Sequence, residues 1–400
     1  MPTITKRNNT YRIRVSCGYD TSGKQLVKSM TWNPSPNMTA RQTEKELVKV
    51  AAAFEAKVQS GDYVAVTNMR LADFCDQYLQ MSHNTLAPNT KKFYEYVIEQ
   101  AIKPMLGHMK LQEVRPIHTQ RFIDAIAGEG ARIDKKGIKL APATVKRYFT
   151  VLKSIMAKAY KLELIDRNPT ETARLDLPEV VEKEVEIFTK EEATQMLACL
   201  ADEPLEFQVL IHLAITTGAR RGELTALKWD CIDYKNKTLS IKQSSYKLKG
   251  EEIKNKAPKT KGSIRVVALP PYLLDMLKAH RVAQMKEQMR IGDQWQGEGY
   301  LFTQWNGKQM NPQTPTRQFA KFLDRHGIPH RKFHALRHTS ATLLLANGTN
   351  IKTVAARLGH TQLSTTNRYV HALRDADEAA AQTFADLVTV PTPTAEPKAE

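Results

Sequence analysis

Hydrophobic spacing changes character along the chain, and each change predicts a different kind of element. Near the N-terminus, TYRIRV (Thr10 to Val15) alternates with the two-residue period of a half-buried strand. QLVKSMTW (Gln25 to Trp32) follows a turn rich in Asp20, Ser22 and Gly23, so the pair predicts a β-hairpin. Past the breaker cluster NPSPN, Thr39 with Gln42 three residues on forms a capping-box start. Leu47, Val50, Ala51, Phe54 and Val58 then recur at helical spacing until Gly61. Residues 1–64 therefore read as a small sheet backed by one helix.

From Leu71 the period becomes helical. LADFCDQYLQM, NTKKFYEYVIEQAIKPML, the stretch from Ile117 to Ile126, and TVKRYFTVLKSIMAKAYKL each carry an apolar face. Phe93, Val97, Phe149 and Leu152 read as packing, which leaves Lys91, Lys92, Lys146, Arg147 and Lys153 as candidate phosphate contacts. The run is expected to end at Asn168-Pro169, closing a helical domain over 65–170. The acidic, valine-rich LDLPEVVEKEVEIF (Leu175 to Phe188) then reads as an extended tether, with a linker at 171–186. Thr189 with Glu192 starts another capped helix, and helices dominate 187–388. One strand-rich patch interrupts them: KTLSIKQS (Lys237 to Ser244) and GSIRVVALP (Gly262 to Pro270) read as a hairpin joined by the lysine-laden KLKGEEIKNKAPKTK. The tail 389–400 contains PTPTAEPKAE, has no apolar periodicity, and is expected to be disordered. The fold class is thus multidomain, mainly α with small β parts.

Charge adds a partner. A net charge of +17 over 400 residues makes a surface that attracts polyanions, and 42% hydrophobic residues are enough to bury real cores. Residues 1–60 hold ten Lys or Arg against four Asp or Glu, so the small N-terminal module carries +6 and reads as a DNA-binding appendage. Cys17, Cys75, Cys199 and Cys231 lie far apart with no CxxC pair, which argues against a zinc knuckle and a disulfide framework and fits a reducing cytosol. The opening MPTITKRNNTYRIRV lacks an apolar run of signal-peptide length. No stretch approaches the roughly 20 apolar residues that cross a bilayer, so a cytoplasmic protein is expected.

The candidate chemistry sits in TTGARRGELTAL (Thr216 to Leu227), FHALRHTSATLLLANG (Phe333 to Gly348) and LGHTQLSTTNRY (Leu358 to Tyr369). Arg220 follows Gly218 at the end of an apolar helix, and Glu223 stands three residues on, within reach to orient the guanidinium. Arginine suits a phosphate because its planar fork donates two parallel hydrogen bonds and stays charged. His334 and Arg337 share a helix face at i, i+3, so a second cation arrives with a histidine already beside it. Two arginines on the non-bridging oxygens would offset charge at a pentacovalent phosphorus, a task metals perform in many nucleases; losing one such donor typically costs roughly 10²–10³ in rate. His360 lies just past the helix-ending Gly359, and Tyr369 follows after a stretch in which Ser364 or Thr365 could cap a short helix. A phenol, with its pKa of about 10, needs the field of Arg220 and Arg337 or a histidine to take its proton. It leaves phosphorus more readily than an alkoxide, which keeps the link reversible. The departing 5′-oxygen wants a proton, and Lys261, or its neighbour Lys259, is the available general acid.

On these residues the chain resembles the tyrosine recombinases, specifically the integrases of temperate phages and conjugative transposons. TGARRGEL, HALRH, LGH and the final NRY stand in that family's order and approximate spacing over nearly the whole chain. The resemblance implies that Arg220, His334, Arg337 and His360 bind and protonate around the scissile phosphate. It makes Tyr369 the nucleophile and puts the hairpin lysine in PKTKGSIR, where Lys261 is favoured over Lys259. It further implies an N-terminal arm-site domain with a three-stranded sheet, a helical core-binding domain, and a mostly helical catalytic domain at 187–388 that closes with it as a clamp on duplex DNA. A homotetrameric synapse, a 3′-phosphotyrosyl link that integrates and excises a mobile element, and no nucleotide or obligatory metal cofactor also follow. A directionality factor or host DNA-bending protein would be the accessory partner. A C-terminal helix docking on a neighbouring subunit is implied too, and Ala376, Ala380, Phe384 and Leu387 or Val388 form a matching apolar stripe. Two rival readings are a type IB topoisomerase, which lacks the separate basic N-terminal module seen here, and a non-catalytic DNA-binding regulator, which would be expected to have lost part of this residue set.

Overall fold

A computed structural model describes the chain apart from residues 1, 20–22, 24, 60–67, 84, 131–138, 182–184, 249, 258–263, 361, 363–365 and 367–400. It divides into two compact units, Met1–Val181 and Glu182–Glu400. The first opens with three antiparallel strands in sequential order, β1 (Thr3–Arg7), β2 (Thr10–Tyr19) and β3 (Gln25–Trp32). The alternation in β2 turns Ile13 and Val15 inward, where Leu47, Ala51, Phe54 and Val58 of helix α1 (Ala40–Gln59) cover them. The expected capping box starts α1: the Thr39 amide donates to Gln42 Oε1 at 2.9 Å, and the Gln42 amide donates to Thr39 Oγ1 at 3.4 Å.

A second cluster is built by α2 (Leu71–Met81), α3 (Pro88–Val97), a π-turn (Ile98–Ile102), α4 (Lys103–Leu106), α5 (Pro116–Ala127) and α6 (Pro142–Lys161). The π-turn has a local cause. Pro104 has no N–H to give Gln100, and the Lys103 amide reaches back five residues to the Ile98 carbonyl. Val97, Phe149 and Leu152 are buried and Phe93 packs against them, as the spacing predicts, while the Arg147 guanidinium lies 4.4 Å from the centroid of the Phe93 ring. Cys75 sits fully inside this core, where burial pushes its thiol up to about 12 and makes it inert. The helical run ends at Lys161, seven residues before the expected Asn168-Pro169 stop. Glu163 takes a left-handed backbone (φ 54°) and donates to the Tyr160 carbonyl, while Leu164 donates to that of Ala159. That is a Schellman cap without glycine, so the sequence gives no warning of it.

The second unit starts where Thr189 and Glu192 form the expected reciprocal cap on α7 (Lys190–Cys199). Helix α8 (Leu205–Thr217) is apolar nearly all round and is the centre of the core, packed against α10 (Pro271–Ile291) and α12 (Ala335–Ala346). Short α9 (Arg221–Leu224) follows α8 directly, and α11 (Thr314–Arg325) supplies Phe319 and Phe322. Rings pack edge to face along this core, Phe188 on Phe319, Phe319 on Phe333, and Phe207 on Phe322 at 5.5 Å.

The strand-rich patch is more elaborate than one hairpin. Strand β5 (Thr238–Ile241) does pair antiparallel with β8 (Arg265–Ala268), but β4 (Ile232–Asp233) adds on the other side of β5. The segment between β5 and β8 is also not a simple turn. Its strands β6 (Ser244–Lys247) and β7 (Ile253–Lys256) form their own ladder, anchored where Ser245 Oγ meets Thr225 Oγ1 at 2.6 Å and where Asn255 donates to the Tyr300 hydroxyl at 2.7 Å. Those side chains give a polar, lysine-rich stretch partners that periodicity does not reveal. Lys259 and Lys261 follow β7 and lie outside the described residues.

Replacing Phe322, fully buried between Phe207 and Phe319, with Ala is expected to destabilise the second unit by roughly 3–5 kcal/mol. Urea unfolding followed by tryptophan fluorescence checks this, and a loss below about 1 kcal/mol would contradict the packing described.

Candidate active site

Two helices end on glycine and point their carbonyl ends at the same place. Helix α8 stops at Gly218 and α13 (Ile351–Leu358) stops at Gly359, both in the left-handed conformation, with φ 60° and 68°. A Cβ on Gly218 would stand 2.3 Å from Leu358 Cδ2, so glycine is needed there for the close approach of the two ends as well as for φ. Arg337, buried in the first turn of α12, fills the junction. Its Nη1 donates to the Gly218 carbonyl at 2.6 Å and its Nη2 to the Leu358 carbonyl at 2.8 Å. A cation suits this spot because the last carbonyls of both helices carry the negative ends of their dipoles.

Arg220, two residues past Gly218, is turned by Glu223. The Glu223 carboxylate accepts the Arg220 amide at 2.9 Å on one oxygen and Arg220 Nη1 at 2.9 Å on the other. Glu223 is itself buried and also accepts from Arg265 Nη2 at 2.8 Å; both side chains of that ion pair are 5% exposed. Burial works against the carboxylate, yet the hydrogen bonds and charges of Arg265 and Arg220 outweigh it and hold Glu223 below the usual range. Arg220 keeps 42% of its side chain open to solvent. The pair therefore has a buried, oriented foundation and an accessible tip.

His360 is fixed from both ends. Its amide donates to the Ala355 carbonyl at 2.9 Å while the Gly359 amide donates to that of Ala356, a Schellman pair that sets the backbone. Its Nδ1 lies 2.9 Å from the Thr366 hydroxyl. Burial, with the charges of Arg337 and Arg220 next and then Arg265 and His338, lowers its pKa to about 4, so the ring is neutral at pH 7. His334 caps α12 with its ring reaching solvent and touching His338 edge to face at 4.6 Å. The protein packed around it, together with Arg337 and Arg220, lowers its pKa as well. By joining the Gly218 and Leu358 carbonyls, Arg337 brings the segments of Arg220 and His360 to the start of α12, where His334 stands. Tyr369, Lys261 and Lys259 lie outside the described residues, as do Ser364, Thr365 and the apolar stripe from Ala376 to Val388.

Sequence reasoning missed Arg265, Thr366 and the role of Arg357. Arg265 sits on β8 in phase with buried Val267, so an arginine at an inward position of an alternating strand was the available signal. Its Nε donates to the Arg357 carbonyl at 2.7 Å, and Arg357 in turn donates to the carbonyls of Thr216 and Ala268 at 2.9 and 3.2 Å. Thr366, fully buried, had no spacing signal. Among the described residues no group of three or more His, Cys, Asp or Glu stands together as metal ligands would, and no helix is long and apolar enough to cross a membrane.

Known proteins resemble the chain over most of its length. Residues 186–375 match the phage integrase family, and residues 70–127 match the phage integrase N-terminal SAM-like domain. A tyrosine recombinase XerC-like protein of Caldanaerobacter subterraneus is 30% identical over 94% of this chain and 96% of its own length. The ICEBs1 integrase of Bacillus subtilis is 23% identical over 95% of this chain and 98% of its own. Among solved structures, the Tn1549 transposon integrase in complex with circular intermediate DNA superposes with a TM-score of 0.62 at 19% identity, covering 79% of this chain and 99% of that one. A lambda integrase tetramer bound to a Holliday junction gives 0.53 at 17% identity, covering 90% and 95%.

The lowered pKa of His360 makes a signed prediction. Above about pH 6.5, the free imidazole value, this ring is neutral in both the folded and the unfolded chain. As pH falls toward about 4, the unfolded chain takes up a proton that the folded one refuses, so stability is lost across that window and levels off below it. His360→Gln is expected to flatten part of that loss in urea melts taken at successive pH values, and superimposable slopes would contradict it.

Proposed function

Since the chain belongs to the phage integrase family of tyrosine recombinases, a family of DNA recombinases, we propose that it is a site-specific recombinase that breaks and reseals DNA through a 3′-phosphotyrosyl link. Arg220 and Arg337 would grip the non-bridging oxygens of the scissile phosphate. The Tyr369 phenolate attacks phosphorus, one P–O bond forms to the phenol oxygen, and the bond to the 5′-oxygen breaks. Lys261, with Lys259 as its rival, gives that leaving oxygen its proton. His360, neutral at pH 7, is a fit acceptor for the phenol proton, and His334 lies beside Arg337 to hydrogen-bond the phosphate. Attack of another strand's 5′-hydroxyl on the phosphotyrosine reverses the steps and restores tyrosine. The observation that carries this reading is Arg337 fastening the Gly218 and Leu358 carbonyls at the ends of α8 and α13, with Arg220 two residues past Gly218 and His360 two residues past Leu358.

Double-stranded DNA is the substrate. Residues 1–64 would bind outlying arm sites, 65–170 the core site, and 187–388 would cut, with 171–186 as linker. Integration and excision of a mobile element, by a homotetramer in the synapse, is the role proposed. It is supported by relatives that include an ICEBs1 integrase and a lambda integrase solved as a tetramer on a Holliday junction. A directionality factor or host DNA-bending protein would choose between the two directions. Work on a bacterial chromosome puts the protein in the cytoplasm, at the nucleoid.

Tyr369→Phe is expected to abolish covalent protein–DNA adducts on a nicked suicide substrate while leaving gel-shift binding close to wild type. Adducts persisting in the variant would move the nucleophile elsewhere. Wild-type protein that binds specifically and never forms an adduct would favour the non-catalytic regulator.

Deleting residues 1–64 is expected to spare core-site cleavage and weaken binding to outlying repeats. Footprinting that shows the repeats protected as before would refute the arm-site role.

A further inference from the structure

The proposed chemistry leaves one buried contact unused. His360 has its backbone fixed by the Schellman pair after α13, so the freedom that remains is the rotation of its ring and the choice of which nitrogen holds the proton. Nδ1 bears on both, and there the Thr366 hydroxyl stands 2.9 Å away. Thr366 is 0% exposed, and in a water-excluded setting an unmet hydroxyl or ring nitrogen costs far more than it does at the surface. Thr366 stands three positions before Tyr369 in the chain.

We propose that Thr366 is a positioning residue, whose hydroxyl locks the ring orientation and tautomer of His360 and so ties the histidine's working state to the segment that carries Tyr369. The inference rests on the strand-transfer reading above. A neutral imidazole has one N–H and one lone pair, so whichever partner donates in the Nδ1–hydroxyl bond decides what Nε2 can do. If the hydroxyl donates, Nε2 carries the proton; if Nδ1–H donates, Nε2 is the acceptor. Either arrangement holds the ring toward the hydroxyl and sets what Nε2 presents, which a valine in that place does not do. The charges acting on the ring are Arg337, Arg220 and Arg265, which donate and cannot accept, and then His338. Glu223, next to Arg220 and Arg265, is occupied by both. A valine fits the volume of threonine without the bond, and a serine restores the bond without the methyl, so the two variants separate hydrogen bonding from packing.

The test uses the full chain, with histidines labelled for long-range nitrogen–carbon NMR correlation, beside adduct formation on a nicked suicide duplex over a range of pH. Wild type and Thr366→Ser are expected to show one tautomer at His360 and similar cleavage rates. Thr366→Val is expected to show mixed tautomers, a shifted pH profile, and cleavage slower by roughly tenfold to a hundredfold, as small misplacements of a reacting group produce, with gel-shift affinity unchanged. A valine variant with the wild-type tautomer, or with a changed tautomer and an unchanged rate, would overturn the proposal. So would a serine variant as slow as valine. The NMR comparison stands even if wild type forms no adduct, in which case the recombinase reading fails while the hydrogen bond is still judged by itself.

Discussion

The arrangement depends on cations set against the carbonyl ends of helices. α8 and α13 both terminate on glycine and meet so closely that a single added carbon at Gly218 would collide with Leu358. Two such ends repel through their dipoles unless positive charge stands between them. Arg337 supplies it with two donors to two carbonyls, and Arg357 crosses the same boundary to the Thr216 carbonyl. Lysine could bring the charge without the geometry, because a point ammonium cannot present the rigid, planar pair of donors that spans two carbonyls in fixed directions. The buried Arg265–Glu223 pair extends the brace into the sheet. A pair at 5% exposure adds little net stability once desolvation is counted, so its consequence is better sought in orientation: Glu223 cannot hold Arg265 without also fixing where Arg220 points.

How much of this was legible in the chain follows from which interactions are local. Thr39 with Gln42, Thr189 with Glu192, and glycine after the apolar runs of α8 and α13 all act within one helical turn, and each is found where the spacing predicts. So is the reach of Glu223 to Arg220, an i, i+3 contact. What the sequence hid is non-local. Arg265 is drawn inside a strand by a carboxylate 42 positions away, and the β6–β7 ladder is stabilised by Thr225 and Tyr300 from other parts of the second unit. The stop after Lys161 escaped notice for a different reason: Glu163 occupies a position where glycine is the usual signal, so the rule that reads α8 and α13 correctly misses it.

The same partition explains why the motif segments are informative in combination. Arg220, Arg337 and His360 each depend on a carbonyl or carboxylate belonging to another segment, or on a glycine beside it. An arginine after a helix end is ordinary, and an arginine one turn into a helix is ordinary. An arginine one turn into α12 that gives two of its donors to the carbonyl ends of α8 and α13 makes the three segments a single object. Change in any one of them would be felt at the other two.

The brace also sets the protonation of the site. Arginine stays charged at any accessible pH, so it can neither take nor give the proton that strand transfer moves. Its field instead acts on the histidines: burial lowers His334 and His360 most, and the charges of Arg337 and Arg220 add to the effect. On the proposed reading this leaves His360 neutral when the phenol needs to lose its proton. Binding a DNA phosphate brings a negative charge against those same arginines and offsets part of their field. On that reading the part of the lowering of His360 that comes from those cations is offset, because they are now partly neutralised. On that reading phosphate binding and proton acceptance are linked through shared arginines. A site built from lysines or from a metal with its own bound water would divide these tasks differently; on the proposed reading one set of guanidinium groups fixes the helices, receives the anion and tunes the base.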